Sequence, residues 1–214
     1  MQKTNQISNG VNKLSDNSKQ LYEQWEQWWN KKNNLTWVGK QMLKVKQKCL
    51  KEILQSIKPS RAIDVGCGQG HMLSVFKEMG IDVIGIDISE TSVKICRNKG
   101  LPAIHKKLEE INDKYDLVFS DGMLEHFLNF EPYAQHHARI SNQYVLIIQT
   151  DHESFLGKTS IYFAELLRDY KNLLEYNYRI KDFVSVFEKY GFKLIQEKRV
   201  FGGVFKLLLF QKSE

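Results

Sequence analysis

The stretch Arg61-Ala62-Ile63-Asp64-Val65-Gly66-Cys67-Gly68-Gln69-Gly70-His71 decides how the rest of the chain is interpreted. A short apolar run ends at three glycines on alternate positions, and a helical pattern follows over residues 72–79. Glycine permits positive φ and lets backbone N–H groups approach a ligand, because no Cβ stands in the way. The positive N-terminal end of the following helix points at the same place. The stretch therefore predicts a strand, a glycine loop and a helix that form a nucleotide-like ligand site.

Three classes of ligand site compete for this loop. A P-loop requires Gly-Lys-Ser/Thr, whereas His71 and Met72 follow Gly70, which argues against nucleoside triphosphate hydrolysis. A dinucleotide fingerprint requires a third glycine where His71 stands. The pattern that remains is an acid, Asp64, followed by alternating glycines. Asp87 ends the next predicted strand, where an ionised carboxylate can accept hydrogen bonds from both hydroxyls of a ribose.

Strand and helix patterns alternate along the chain from residue 61 onward. Ser89 is expected to cap the second helix, and Gly80 and Gly100 to end two helices. A late helix at about 180–190 precedes a hairpin that turns across Gly202-Gly203. Near-continuous apolar runs, typical of parallel strands covered on both faces, predict strands at about 61–65, 81–87, 102–105, 115–120 and 143–149. The hairpin adds two further strands, at about 193–200 and 204–211. This alternation predicts a doubly wound α/β sheet.

The first 60 residues lie outside this alternation. Residues 1–18 are expected to be a frayed tail, and helices are expected from about Gln20 and over about 39–57. Leu21, Trp25, Trp28 and Trp29 share one face of the first helix. They could form a lid over the ligand, an aromatic wall for a substrate, or ordinary core contacts. We expect residues 1–38 to form a tail and helical lid, and residues 39–214 to form the main domain.

Charge and cysteine content limit the classes of partner and compartment. Residues 1–61 carry 12 Lys/Arg and 4 Asp/Glu, a net charge of +8, while the remainder carries −2. This basic front end could attract nucleic acid, although its only arginine is Arg61, and a solvated lysine-rich helix face is the alternative. No window approaches the roughly 20 apolar residues of a membrane span, and no secretory signal is visible. Three widely spaced cysteines predict a reducing, cytoplasmic location.

Five segments, in order, resemble those of the class I S-adenosylmethionine-dependent methyltransferases. Residues 64–71 resemble their first motif, and Asp87-Ile88-Ser89 resembles their ribose-binding acid and its neighbours. Residues 115–126, which end in Leu-Glu-His, resemble the fourth-strand motif of small-molecule members. Residues 144–149 resemble the fifth strand, and residues 179–192 the late helix. The similarity covers about residues 40 to 212.

The resemblance implies a fold and a cofactor. The fold is a doubly wound, mostly parallel α/β sheet of seven strands in the order 3-2-1-4-5-7-6, with strand seven antiparallel and an N-terminal helical extension. The cofactor is S-adenosylmethionine, which would lie across the C-terminal ends of strands one, two and four. Carried over by position, the cofactor-binding residues would be Asp64, Gly66, Gly68, Gly70, Asp87, Ile88, Leu108, Glu109, Ser120 and Asp121.

The reaction implied is in-line methyl transfer to oxygen or nitrogen of a small-molecule acceptor. Positioning and water exclusion should supply most of the rate, and a base is needed only if the acceptor is protonated. His126 is the candidate base, with a structural or cofactor-side histidine as the alternative. His136 and His137 are neighbours on a helix and are expected to point apart at the surface. No metal is expected, although a metal-assisted variant through Asp121 and Asp151 is an alternative.

The acceptor is expected at two aromatic segments outside the alternating pattern. Trp25 and Trp29 in the first segment and Tyr162 in the second, residues 161–178, are the candidate substrate-binding residues. Helix packing on the sheet is the alternative for the second segment. RNA or protein methylation, through the basic front end, is the second functional hypothesis. A non-catalytic S-adenosylmethionine-binding protein is the third. No membrane partner is expected, and the oligomeric state is left open.

Overall fold

A computed structural model describes residues 18–30, 35–154, 157 and 176–213. Within these ranges the helices are α1 (Ser18–Asn30), α2 (Trp37–Ile57), α3 (Leu73–Glu78), α4 (Glu90–Asn98), α5 (Glu131–Ile140) and α6 (Ile180–Lys189). The strands are β1 (Arg61–Val65), β2 (Asp82–Asp87), β3 (Ala103–His105), β4 (Tyr115–Asp121), β5 (Ser141–Thr150), β6 (Phe192–Val200) and β7 (Phe205–Lys212). The predicted strands are therefore present, with ends that shift by one or two residues.

The strands form one sheet in the order β3-β2-β1-β4-β5-β7-β6. The pairings among β1 to β5 are parallel, and β7 is antiparallel to both β5 and β6. This confirms the predicted order and orientation. The order reverses between β1 and β4, so the C-terminal ends of these two strands and β2 border the crevice where open α/β sheets bind ligands.

Apolar layers cover both faces of the sheet. One layer includes Phe183 and Phe187 of α6, and the other includes Leu50 of α2 and Phe76 of α3. Successive side chains of a strand point to opposite faces, so alternate residues of β5 enter alternate layers. Burial on both faces explains the continuous apolar run of β5, residues 144–148, whereas the edge strand β6 carries exposed polar residues at its centre. No helix of the described residues is long and apolar enough to span a membrane.

Polar side chains and glycines set the helix ends, largely as predicted. The Ser89 hydroxyl accepts a hydrogen bond from Ser92 N at 3.1 Å and caps α4. Gly80 and Gly100 follow α3 and α4 with φ of +72° and +69°, respectively. The β6–β7 hairpin turns through residues 201–204, which confirms the turn at Gly202-Gly203. Because α2 begins at Trp37, the predicted boundary after residue 38 falls inside this helix, and the division into lid and domain stays a prediction.

One surface prediction is wrong, because His137 is buried with an exposed fraction of 0%. It lies three and four residues after Ala134 and Tyr133, which pack in the same apolar layer, so all three share the inner face of α5. Its Nδ1 lies 2.8 Å from the carbonyl oxygen of Tyr133, and burial lowers the pKa of His137 to about 4. His136, the other histidine of the pair, is half-buried and points away from that layer.

Two glycines with similar backbones allow the packing around the glycine loop to be tested. Gly70 has φ of +77°, and an added Cβ would lie 2.5 Å from Leu101 Cδ1 and 2.9 Å from Cys96 Sγ. Gly80 has φ of +72° with nothing within 4 Å. We expect Gly80→Ala to lose about 1–2 kcal/mol of unfolding free energy through its backbone, and Gly70→Ala a further ~1–3 kcal/mol through overpacking. Urea denaturation measures both, and equal losses would contradict the packing argument.

Candidate functional site

A cavity of about 770 Å³ opens at the C-terminal ends of β1, β2 and β4. Its walls come from the glycine loop, the ends of β2 and β4, the turn after β3, and the helices α1 and α2. This volume is typical of small-molecule sites, which span roughly 300–1,000 Å³. The structure brings most of the predicted site residues together here, namely Trp25, Trp29, Asp64, Gly66, Gly68, Asp87, Ile88, Leu108, Glu109, Asp121 and His126.

Two predicted site residues are not part of this lining, and a third lies outside the described residues. Gly70 contacts the interior behind the loop, where a Cβ would meet Leu101 and Cys96, so close packing explains its presence. Ser120 is completely buried in β4, and its hydroxyl has no hydrogen-bond partner in the described part of the chain. Tyr162 lies outside the described residues, so its role stays a prediction.

Asp87 holds the glycine loop in place. Its Oδ2 accepts a hydrogen bond from Gly68 N at 2.8 Å, and its Oδ1 accepts one from Ser89 N at 2.8 Å. Burial raises the pKa of the Asp87 carboxyl, while these two N–H donors act in the opposite direction and favour its ionised form. Each carboxylate oxygen offers more than one acceptor direction. Asp87 can therefore hold the loop and still accept hydrogen bonds from two ligand hydroxyls.

Two buried carboxyl oxygens in the cavity wall lack a hydrogen-bond partner among the described residues, Asp64 Oδ2 and Glu109 Oε1. Asp64 has an exposed fraction of only 2%. Burial raises its pKa well above the usual value, and the neighbouring carboxylate of Asp121 raises it further. A buried acceptor without a partner is costly unless a donor or a cation reaches it. The donor set of S-adenosylmethionine, an ammonium group and an adenine amino group, fits these two positions.

Lys46 belongs to the cavity wall but was not among the predicted site residues. Its Nζ lies 2.7 Å from Asp121 Oδ1 and 3.8 Å from the centre of the Phe205 ring. The ion pair is mostly shielded, with exposed fractions of 14% and 22% for its two side chains. A sequence signal did exist, since Lys46 lies three residues after Leu43 and four before Leu50, on an otherwise apolar helix face. The pair connects α2 to the end of β4.

The Leu-Glu-His motif forms a tightly held turn after β4. Buried Glu125 accepts hydrogen bonds from Thr150 N at 2.9 Å and Thr150 Oγ1 at 3.1 Å. Its backbone carbonyl accepts a further bond from Tyr176 N at 2.8 Å. Because these contacts connect the turn to β5 and to the segment before α6, they fix the direction in which His126 points. The glutamate of the motif is thus a structural anchor that presents the histidine.

Aromatic rings of α1 bridge His126 and the glycine loop. The ring centres of Trp25 and His126 lie 4.9 Å apart at an interplanar angle of 81°, an edge-to-face contact. Trp25 stacks on Trp29 at 6.1 Å, and Trp29 Cζ2 lies 3.0 Å from the position of a Cβ on Gly68. Two of the predicted tryptophans therefore cover the cavity, whereas the side chains of Leu21 and Trp28 lie outside what the structure describes.

The carboxylates named for a metal-assisted variant are paired with lysines. Asp121 pairs with Lys46, and Asp151 Oδ2 lies 3.8 Å from Lys206 Nζ. Among the residues that the structure describes, no three His, Cys, Asp or Glu side chains gather in a group that could hold a metal ion.

A family model described as a methyltransferase domain matches residues 16–197, which is most of the chain. The chain therefore belongs to the methyltransferase-domain family. This membership confirms the resemblance to methyltransferases that the motifs indicated.

Curated relatives share part of the chain. The ubiquinone biosynthesis O-methyltransferase of Bordetella avium is 34% identical over 87 residues, 36% of each chain. The enzyme of the same name from Methylococcus capsulatus is 35% identical over 81 residues, 33% of this chain and 34% of the relative. The matched region thus spans about a third of the length of these relatives.

Solved structures share the fold over nearly the whole chain. The magnesium protoporphyrin IX methyltransferase of Synechocystis PCC 6803, with bound S-adenosylhomocysteine, has a TM-score of 0.69 at 18% identity and covers 92% of this chain and 96% of its own. A possible histamine N-methyltransferase of Thermotoga maritima has a TM-score of 0.67 at 19% identity, and the match covers 90% of this chain and 100% of the other. At such identities the similarity establishes the fold alone.

The buried carboxyl of Asp64 should lower the stability of the ligand-free protein as the pH rises. Its folded-state pKa is raised, so above the unfolded-state pKa of about 4 the unfolded chain releases a proton that the folded protein retains. We expect Asp64→Asn to increase the unfolding free energy more at pH 8 than at pH 4.5, by about 1 kcal/mol or more. Asp82→Asn is the control, because the Asp82 side chain is 80% exposed on β2. The same pH dependence in both variants would refute this role for burial.

Proposed function

We propose that the protein transfers the methyl group of S-adenosylmethionine to oxygen or nitrogen of a small-molecule acceptor. The observation that supports this most is that the Asp87-bound glycine loop and buried Asp64, whose Oδ2 has no partner among the described residues, line the same cavity. A ligand with both a vicinal diol and a cationic group satisfies the two sites together, and S-adenosylmethionine has both. The cavity also extends to His126 and the α1 tryptophans, which leaves room for an acceptor.

Each polar group of the donor has a counterpart in the cavity wall. Asp87 would accept hydrogen bonds from the ribose hydroxyls, and Asp64 would accept a hydrogen bond from the ammonium group. Lys46 would bind the carboxylate, because its Nζ already lies at the end of β4 and faces a carboxylate oxygen of Asp121. Ile88 would pack on the adenine, and Leu108-Glu109 would hold the adenine edge. The buried unpartnered Oε1 of Glu109 suits the adenine amino group.

The chain's own residues would act by positioning and by proton transfer. When bound, S-adenosylmethionine supplies a methyl carbon on positively charged sulfur, and attack by the acceptor breaks that carbon–sulfur bond. Trp25 and Trp29 would exclude water and form the acceptor wall, as expected of a lid within residues 1–38. His126, only 8% exposed and held by its turn, would take the proton from a hydroxyl acceptor.

Relatives and cysteines support two finer assignments. Oxygen is the favoured acceptor atom, because the curated relatives that share the matched region are named O-methyltransferases. A cytoplasmic location is supported by the cysteines, since Cys49, Cys67 and Cys96 are all free and buried. Tyr162 remains a candidate acceptor contact on the basis of sequence.

Two variants and two ligands separate the parts of the donor site. Asp87→Ala should weaken binding of both S-adenosylmethionine and 5′-methylthioadenosine by about tenfold or more, because both ligands carry the ribose diol. Lys46→Met should weaken S-adenosylmethionine by about tenfold and leave 5′-methylthioadenosine unchanged, because the latter lacks the carboxylate. Calorimetry measures the affinity of each variant for each of the two ligands. Asp82→Ala is the control, because the Asp82 side chain is exposed on β2. Unchanged affinity in Asp87→Ala, or equal losses for both ligands in Lys46→Met, would overturn these assignments.

His126→Gln tests the proposed base while it keeps a polar side chain of similar length. We expect turnover to fall by about 10²-fold or more, with S-adenosylmethionine affinity unchanged, because general-base catalysis typically contributes that much. Release of S-adenosylhomocysteine with a panel of phenols, alcohols and amines provides the measurement. Full activity of the variant would remove His126 from the mechanism. Donor binding without turnover on any acceptor, in the unaltered protein, would instead favour a non-catalytic binding protein.

A further inference from the structure

Three large apolar side chains close together in sequence are exposed to solvent at the start of α2. Trp37 is 74% exposed, Val38 47% and Leu35 39%. Only two other large apolar side chains of the described residues are exposed, Leu128 and Ile195, and each stands alone in sequence. We call Leu35, Trp37 and Val38 the entrance patch. Clustered exposed apolar side chains indicate an interaction surface, whereas single ones are ordinary.

The same face of α2 carries positive charge next to the entrance patch. At 100° per residue, Lys44 and Lys48 lie within about 20° of the direction of Trp37, and Lys40 within about 60°. All three lysines are exposed, and none forms an ion pair within the described part of the chain. The helix has no acidic residue before Glu52. We call Lys40, Lys44 and Lys48 the lysine stripe.

The entrance patch also borders the cavity. Leu35, Thr36 and Gly39 line the cavity wall, together with Leu43 one turn further along α2. At 100° per residue, Gly39 lies about 160° from the direction of Trp37, so the Trp37 side chain points into solvent on the side of α2 away from the cavity. Whatever covers Trp37 therefore contacts a helix whose opposite side lines the cavity.

We propose that this face docks on a membrane surface that contains anionic phospholipids. Tryptophan favours the membrane–water interface, small aliphatic side chains gain by leaving water there, and lysines are attracted to an anionic leaflet. The entrance patch would enter the interface while the lysine stripe lies over the phosphates. This mode is peripheral, and it departs from the expectation of no membrane partner that was drawn from the sequence.

RNA is the competing anionic partner, and the surface suits it less well. The face has no arginine, which is the side chain best matched to phosphodiester groups. Val38 and Leu35 gain nothing from a phosphate backbone, whereas both are suited to the acyl region of a bilayer. The proposal concerns surface binding and holds independently of the acceptor that the enzyme methylates.

Vesicle co-sedimentation of the full chain tests the proposal. We expect binding to phosphatidylcholine vesicles that contain about 30% phosphatidylserine, weaker binding without phosphatidylserine, and a decrease at high salt. The double variant Trp37→Ser with Val38→Ser should lose at least about tenfold in binding. The triple variant Lys40→Gln, Lys44→Gln and Lys48→Gln should lose more, at about fivefold per lysine.

Matched controls replace similar residues elsewhere on the surface. Leu128→Ser with Ile195→Ser matches the apolar change, and Lys94→Gln, Lys181→Gln and Lys193→Gln match the charge change. The controls should bind vesicles like the unaltered protein. S-adenosylmethionine affinity, measured in parallel, shows that each variant is folded and separates this test from that of the proposed function. No preference for anionic vesicles, equal losses in test and control variants, or retention by single-stranded RNA without vesicle binding would each overturn the proposal.

Discussion

The buried carboxylate of Asp87 is the contact on which the site depends. It accepts backbone N–H groups from two different loops, Gly68 after β1 and Ser89 after β2, so one side chain sets the distance between neighbouring strand ends. The parallel pairing of β1 with β2 brings those ends together, and the reversal toward β4 opens the crevice beside them. The N–H groups of Gly66 and Cys67 donate to the carbonyl oxygen of Ile86, and that of Gly68 donates to Asp87, so the loop is held from behind while Gly66 and Gly68 line the cavity.

The two halves of the cavity are held by different forces. The half that we propose binds the donor is fixed by hydrogen bonds and one shielded ion pair, Lys46 with Asp121, all attached to the sheet. The half proposed for the acceptor is lined by α1 through aromatic contacts such as that between Trp25 and His126. Hydrogen bonds impose a single geometry, whereas ring contacts tolerate sliding. This division suits an enzyme class in which the donor is constant and the acceptor differs between members.

Sequence patterns predicted the sheet and most of the residues that meet at the cavity, because strand ends and glycines leave local signals. They failed where the outcome depends on packing between distant elements. Gly70 carries the same alternating signal as Gly68, yet only the fold shows that Leu101 lies behind it. His137 was expected at the surface, because its neighbours on α5 did not reveal which face the sheet covers. Lys46 was missed because its ion-pair partner, Asp121, is 75 residues away in the sequence.

The unpartnered oxygen of Asp64 has a consequence for protein engineering. The Asp64 carboxyl destabilises the ligand-free fold and becomes favourable only when a cation binds. Ligand binding and thermal stability are therefore conflicting requirements at this position. Directed evolution that rewards thermal tolerance alone would therefore remove this carboxyl early, and with it the proposed contact to the donor. Selection performed with the donor present in excess would keep both properties if the proposed ammonium contact forms, because ligand binding stabilises the folded state.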